Sequence, residues 1–188
     1  MTNPAGNVEG MPHPPLVTLR ARTAADVDAL YRVAADLDTW EERTPSRPSP
    51  LTRAAFEKRL TDATNGSSTR SIEFVIDVDG AAVGSVSLFD FDDLAHHGEI
   101  GIAVLAEHRG HGIGSAALAQ MVEFAFVRCN LRRVHLQAIS SNTGAIRVYE
   151  KAGFVREGRL REHAWVRGAY EDMVVLGLLR AEWERTDG

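Results

Sequence analysis

Apolar residues near the N-terminus recur at helical spacing. Val27, Leu30 and Tyr31 share one stripe and Ala34 continues it, which predicts a helix from a Thr23 cap through Trp40. Residues 16–20 before it read as a first strand. Pro45, Pro48 and Pro50 then break the chain, so 41–51 is expected as a loop. Phe56 and Leu60 predict a helix over 54–64, ended by Asn65-Gly66-Ser67-Ser68. From there the period shortens. Residues 72–78 are rich in β-branched side chains, Asp79-Gly80 signals a hairpin turn, and 82–89 is the partner strand. Residues 98–105 form another apolar strand. Ala117, Met121 and Phe124 place a long amphipathic helix over 112–130. A strand at 134–139 leads to a helix at 143–152 closed by Gly153. From Phe154 onward the pattern is a hairpin that turns at Arg167-Gly168 and ends in a strand near 173–178.

This order gives an α/β chain with a mixed rather than an all-parallel sheet. Residues 1–15 carry two glycines and four prolines with little to bury, so they are expected as a flexible tail before one domain at 16–188. The chain of 188 residues is 44% hydrophobic and 25% charged, the balance of a soluble globular protein. No apolar run approaches the ~20 residues that span a bilayer, and the start of the chain lacks the features of a signal peptide. The single Cys129 excludes an internal disulfide and a thiolate metal site. A cytoplasmic protein without membrane contact is expected. A net charge of −5 argues against a dedicated nucleic-acid binder and suits a cationic partner.

The chemistry concentrates in Arg109-Gly110-His111-Gly112-Ile113-Gly114-Ser115, which follows a strand and opens the long helix. Alternating glycines permit a tight turn and leave no side chains in a ligand's way. The first amides of a helix have no intrahelical acceptors and can hold phosphate oxygens, and Arg109 adds a permanent positive charge. The physical reading is a pyrophosphate cradle; the alternative is a glycine-rich loop without a ligand. The lysine of a P-loop is absent, and so are the spacing and the repeated βαβ unit of a dinucleotide fold.

A second segment, Asn142-Thr143-Gly144-Ala145-Ile146-Arg147-Val148-Tyr149 to Gly153-Phe154, also follows a strand and starts on a capping Asn. Together the two segments resemble the GCN5-related N-acetyltransferase (GNAT) superfamily, which uses acetyl-CoA. Arg109, Gly112 and Gly114 fit that family's Arg/Gln-x-x-Gly-x-Gly/Ala loop. Asn142, Ala145, Tyr149 and Gly153-Phe154 fit its Asn-x-x-Ala-x-x-x-Tyr-x-x-x-Gly-Phe signature. Gly168, Tyr170 and Asp172 look more like the branch of ribosomal-protein N-terminal and spermidine acetyltransferases. The resemblance implies a mostly antiparallel sheet of about seven strands with about four helices. It also implies that strands 98–105 and 134–139 are parallel neighbours that splay apart around the pantetheine arm. The arm then pairs with backbone near Ile102, Ala103 and Val104, the diphosphate sits on 109–114 with Ser115 as a further donor, and Asn142 reaches the arm or caps its helix.

Tyr149 is a candidate acid for the leaving thiolate, against the alternative of a core tyrosine. Glu99 is a candidate base for the acceptor ammonium, against a solvated strand-end acid. Trp40, Glu41 and Glu42, with Asp38, pair an aromatic with acids that suit a cationic amine, although charge runs often only solvate a loop. Trp165 and Tyr170 either form the opposite wall or pack. His96, His97, His108 and His111 lack a completing ligand spacing, so no metal is expected. The expected activity is acetyl transfer from acetyl-CoA to a primary amine in a ternary complex. The acceptor is a small polyamine, amine metabolite or amine antibiotic, with a protein N-terminus as the alternative. A non-catalytic acyl-CoA sensor is the rival from another class, and a homodimer is expected from the family.

Overall fold

Seven strands form one mixed sheet in the order β1-β2-β3-β4-β5-β7-β6. The strands are β1 (Val17–Arg20), β2 (Ile72–Val78), β3 (Ala81–Asp92), β4 (His97–Val104), β5 (Arg133–Ile139), β6 (Val155–Val166) and β7 (Ala169–Leu179). The structure, a computed structural model, describes residues 16–43, 51–64 and 71–186. The expected tail at 1–15 and the expected stop at 65–68 lie outside the described residues. Every neighbouring pair is antiparallel except β4 and β5. Both predicted hairpin turns form, with left-handed pairs at Asp79-Gly80 (φ 53° and 87°) and Arg167-Gly168 (φ 47° and 85°). That is the geometry a twisted two-residue hairpin demands.

Strand alternation sends successive side chains to two different cores. Ile100, Val134 and Leu136 join Ala117, Leu118, Met121 and Phe126 in the main cluster, under α4 (Ile113–Glu123) and the π turn Phe124–Arg128. α5 (Thr143–Lys151) lies on that same face and adds Ile146 and Tyr149. On the other face Leu30, Phe56 and Val75 join α1 (Val27–Ala35) and α3 (Arg53–Thr64) to β2, while Val33 meets Ala103 and Leu105. Each fully buried Leu, Met or Phe contributes roughly 1.5–3 kcal/mol.

The described residues hold six helices, more than the four expected. The first long helix divides because Asp36 is extended (ψ 115°), and its carboxylate accepts the Thr39 N–H (3.1 Å) and hydroxyl. Asp36 thus caps a separate α2 (Leu37–Arg43), so Glu41 and Glu42 continue a helix with Trp40 and are not in the expected loop, whose residues 44–50 lie outside the described residues. A last helix, α6 (Arg180–Thr186), was not foreseen; its Trp183 packs 5.5 Å from Phe126.

Arg20 ties the start of the chain to the sheet. It donates to both oxygens of Asp26 (2.7 Å each) and to Asp77 (2.7 Å), and both carboxylates are buried. Asp26 also accepts the Thr23 N–H (2.7 Å). These donors, led by Arg20, hold the Asp26 carboxyl well below the usual aspartate range. A folded-state value below the unfolded one stabilises the fold fully above about pH 4 and loses that contribution as pH falls through the folded value. Asp26→Asn is therefore expected to lower the melting temperature at pH 7 by ~5 °C. It should also flatten the decline in stability toward acid, as followed by circular dichroism.

Candidate active site

β4 and β5 stop pairing almost as soon as they start. Their parallel register runs only through His97↔Arg133, Gly98↔Val134 and Glu99↔His135, and beyond it the strands diverge. On its other side β4 continues along β3 to Gly84↔Val104. Leu105 N–H donates to Val83 O at 2.9 Å, which fixes the phase of alternation. Odd-numbered residues of β4 therefore turn their peptide edges to β3, and Ile102 and Val104 turn theirs into the fork. Of the three residues expected to meet the pantetheine arm, Ile102 and Val104 present backbone there. Ala103 faces β3, and its methyl packs with Val33 and Leu105.

The glycine loop lies at the far end of β4. Gly110 and Gly112 are left-handed (φ 80° and 79°), and Gly112 is the N-cap of α4. The first helical bond runs from Ala116 N–H to Gly112 O (3.0 Å). This leaves the amides of Gly112, Ile113, Gly114 and Ser115 without intrahelical acceptors. A Cβ added at Gly110, Gly112 or Gly114 would meet nothing within 4 Å, so these amides border open space. Gly110, His111, Gly112 and Ser115 are exposed, whereas Ile113 anchors the loop in the core. The loop therefore fits a diphosphate held by backbone.

Arg109 is engaged elsewhere than expected. Its Nε donates to Val104 O (2.9 Å), one Nη donates to Thr39 Oγ1 (2.7 Å), and the other lies 3.5 Å from Glu42. The guanidinium thus pins α2 to the end of β4 and is not free over the loop. Asn142 spends its side chain on capping α5 by accepting the Ala145 N–H (3.1 Å). Tyr149 is buried in the main core, its ring 6.4 Å from Phe154, one turn beyond the half-buried Ala145.

Glu99 sits at the root of the fork on the face opposite α4, because its neighbour Ile100 belongs to the α4 core. It is not a solvated acid: its side chain is 18% exposed. The Glu99 oxygen Oε2 lies 3.5 Å from His135 Nε2 and 3.4 Å from Gln137 Nε2. Asp90, left-handed at a break in the β3–β4 register, brings its carboxylate into the same corner, with donor atoms of Asp90, Glu99 and His135 within 4.8 Å of one another. The sequence reading missed Asp90, His135 and Gln137. The alternation of His135 and Gln137 between Val134, Leu136 and Ala138 was the available signal. The four histidines weighed for metal binding do not form this group.

The α2 acids are largely committed. Arg167, at the β6–β7 turn, bonds Asp38 (3.1 Å) and Glu42 (3.2 Å), so Glu42 stands between Arg109 and Arg167. Glu41 and Trp40 are half-buried, and the Trp40 indole N–H is buried with no partner among the described residues. Trp165 and Tyr170 pair edge-on at 4.8 Å. Ala164 and Val166 turn toward Ile139 and Met173, so alternation turns Trp165 and Tyr170 to the α5 face. They do not stand opposite α2 as a wall. Burial pushes the Cys129 thiol up, away from an activated thiolate. A cavity of about 730 Å³ between α5, β6 and β7, lined by Arg147, Arg156 and Arg159 among others, lies apart from the fork. No described helix is long and apolar enough to cross a membrane.

Residues 17–155 match the family profile described as the acetyltransferase (GNAT) domain. The chain is 36% identical over 106 residues to the putative ribosomal N-acetyltransferase YdaF of Bacillus subtilis, an overlap of 56% of this chain. It spans 58% of that relative's length. The crystal structure of spermidine N-acetyltransferase from Vibrio cholerae with CoA and spermine shares the fold, with a TM-score of 0.81 at 22% identity over 89% of this chain and 98% of that one. Mycobacterium smegmatis RimJ in complex with CoA-disulfide gives a TM-score of 0.75 at 26% identity, over 88% and 83% of the two chains.

The ion pairs of Glu42 carry a test of their own. Glu42→Gln is expected to raise amide hydrogen exchange in α2 about fivefold, because partly exposed pairs stabilise only modestly. Exchange in α4 should stay unchanged, as followed by mass spectrometry.

Proposed function

The chain belongs to the GNAT acetyltransferase family, and from that premise we propose that it transfers the acetyl group of acetyl-CoA to a primary amine by direct attack in a ternary complex. The observation that carries this reading is one alignment. The edge of β4 that β5 leaves unpaired, with Ile102 facing the fork and Val104 O held by Arg109, leads straight to the open amides of Gly112–Ser115. An extended arm ending in a diphosphate fits both at once: β4 supplies a sheet edge for the arm, and the α4 N-terminus supplies donors for the charge. The thioester supplies an electrophilic acyl carbon and a thiolate leaving group.

The residues of this chain divide the remaining work. Glu99, held on the acceptor face, takes the proton of the entering ammonium and frees the nitrogen lone pair. The Ile102 N–H, turned into the fork, is placed to polarise the thioester carbonyl. Tyr149 returns a proton to the departing sulfur from the α4–α5 side. Only interactions that tighten as charge develops accelerate the step, which is why a preset amide counts for more than a mobile charge.

The acceptor we assign is a small cationic amine. Asp90 and Glu99 share one corner, and neither has an arginine or lysine partner among the described residues. An ammonium would balance them. Glu41, beside Trp40 on α2, adds a further acid, whereas Asp38 and Glu42 are already paired with arginine. A protein N-terminus is the second reading; one relative carries a ribosomal name.

Two variants separate an enzyme from an acyl-CoA sensor. Gly112→Val places a branched side chain at a left-handed position facing the cradle. It should cut acetyl-CoA affinity at least about tenfold by calorimetry while costing about 1–3 kcal/mol of stability. Tyr149→Phe should slow thiol release by roughly 10²-fold with that affinity kept. A panel of polyamines, aminoglycosides and N-terminal peptides, read by thiol release, tests the acceptor. Turnover on peptides alone would overturn the small-amine assignment.

A further inference from the structure

Where the backbone ladder between β4 and β5 ends, side chains continue it. The last paired residues are Glu99 and His135, and Gln137 lies two positions farther along the same face of β5. His135 Nε2 and Gln137 Nε2 approach the same Glu99 oxygen, Oε2, at 3.5 and 3.4 Å. Glu99 and His135 are both largely buried, with side chains 18% and 15% exposed. The His135 ring is braced edge-on by His97 at 5.5 Å. No hydrogen bond is present to the other oxygen of Glu99, Oε1, among the described residues. The two nitrogens thus converge on one side of a single carboxylate and leave the other side open.

We infer that His135 and Gln137 are positioning residues that anchor Oε2 of Glu99 across the root of the fork and present Oε1 to the acceptor amine. This rests on the reading of Glu99 as base. A glutamate has three side-chain torsions, and freezing them costs conformational entropy. Without an anchor, a carboxylate at the end of a ladder samples several rotamers, and few of them face the fork. The Gln137 amide donates to Oε2 and His135 Nε2 lies against the same oxygen, both on one rigid strand, so the cost is met during folding and the base is preset when the amine arrives. The proton itself goes from the ammonium to Oε1. Oε1 passes that proton to solvent, and the freed nitrogen forms the C–N bond. As the C–S bond breaks with its electron pair on sulfur, the nitrogen loses its second proton to Oε1, and the sulfur takes a proton from Tyr149, whose phenolate is reprotonated from solvent. His135 and Gln137 neither gain nor lose a bond to the reacting atoms.

The anchor acts on orientation and not on binding, which dictates the readout. The variants are His135→Leu, Gln137→Leu, His135→Gln and Glu99→Gln, assayed by steady-state thiol release with acetyl-CoA and the best amine of the panel. The expected result is a kcat lowered about tenfold in His135→Leu. KM for acetyl-CoA should be unchanged there, and melting temperature should account for none of the loss. His135→Gln, which keeps a donor toward Oε2, should recover most of kcat. Gln137→Leu should give a smaller loss of the same kind. Glu99→Gln decides whether there is a base to position. If it retains wild-type kcat, the base reading falls and this inference falls with it. If Glu99→Gln is inactive while His135→Leu keeps wild-type kcat, the base stands and the anchor is refuted. An equal loss in His135→Leu and His135→Gln would also refute it, because the donor would then not be what matters.

Discussion

The structure turns on two parallel strands that stop hydrogen-bonding after three residue pairs. Backbone amides and carbonyls left unpaired inside a protein are costly, so an interrupted ladder in mid-sheet persists only where something else uses it or water reaches it. Here the interruption has a definite phase. The peptide edge of Ile102 faces the gap, and Val104 O is taken by the Arg109 guanidinium. The rest of the sheet holds the fork open. β4 remains zipped to β3 from Phe89↔Glu99 to Gly84↔Val104, and β5 remains zipped to β7 from Arg133↔Leu179 to Ile139↔Met173. Each strand is therefore rigid on one side and free on the other.

Features whose signals are local were legible in the sequence. Left-handed glycines, a capping Asn and two-residue turns act within a few residues, and the loop at 109–115, α5 and both hairpins formed where expected. The break at Asp36 was not legible, because the apolar stripe runs through it and only the Asp36–Thr39 hydrogen bonds show that a new helix begins. Nor did the sequence show what Arg109 does, since Thr39 and Glu42 lie about seventy residues earlier. His135 and Gln137 were overlooked for a related reason. Their polar alternation was visible, but their meaning depends on which strand lies beside β5.

Arg109 and Glu42 show how the two halves of the site are joined. Had the arginine pointed into the cradle, its charge would have been lost to α2. Instead it binds Val104 O and the α2 side chains, and Glu42 passes the connection on to Arg167 at the β6–β7 turn. One helix of seven residues is thus held by two guanidinium groups, one from the loop after β4 and one from the β6–β7 turn. Each pair is partly exposed and individually weak. Together they help fix where Trp40 and Glu41 stand relative to the end of β4.

The placement of Glu99 and Tyr149 on opposite sides of the sheet has a mechanistic consequence. Glu99 lies on the face covered by α1 and α3, and Tyr149 lies in the core beneath α4 and α5. A sheet with complete ladders would keep them apart, and a proton taken on one face could not be matched by one given on the other. The fork is where both faces reach the same space. On the reading proposed here, the amine approaches from one face and the thiolate leaves toward the other, so base and acid never compete for one proton. The same separation argues for two distinct groups over a single one that both accepts and donates, because no one side chain at the root of the fork can face both ways.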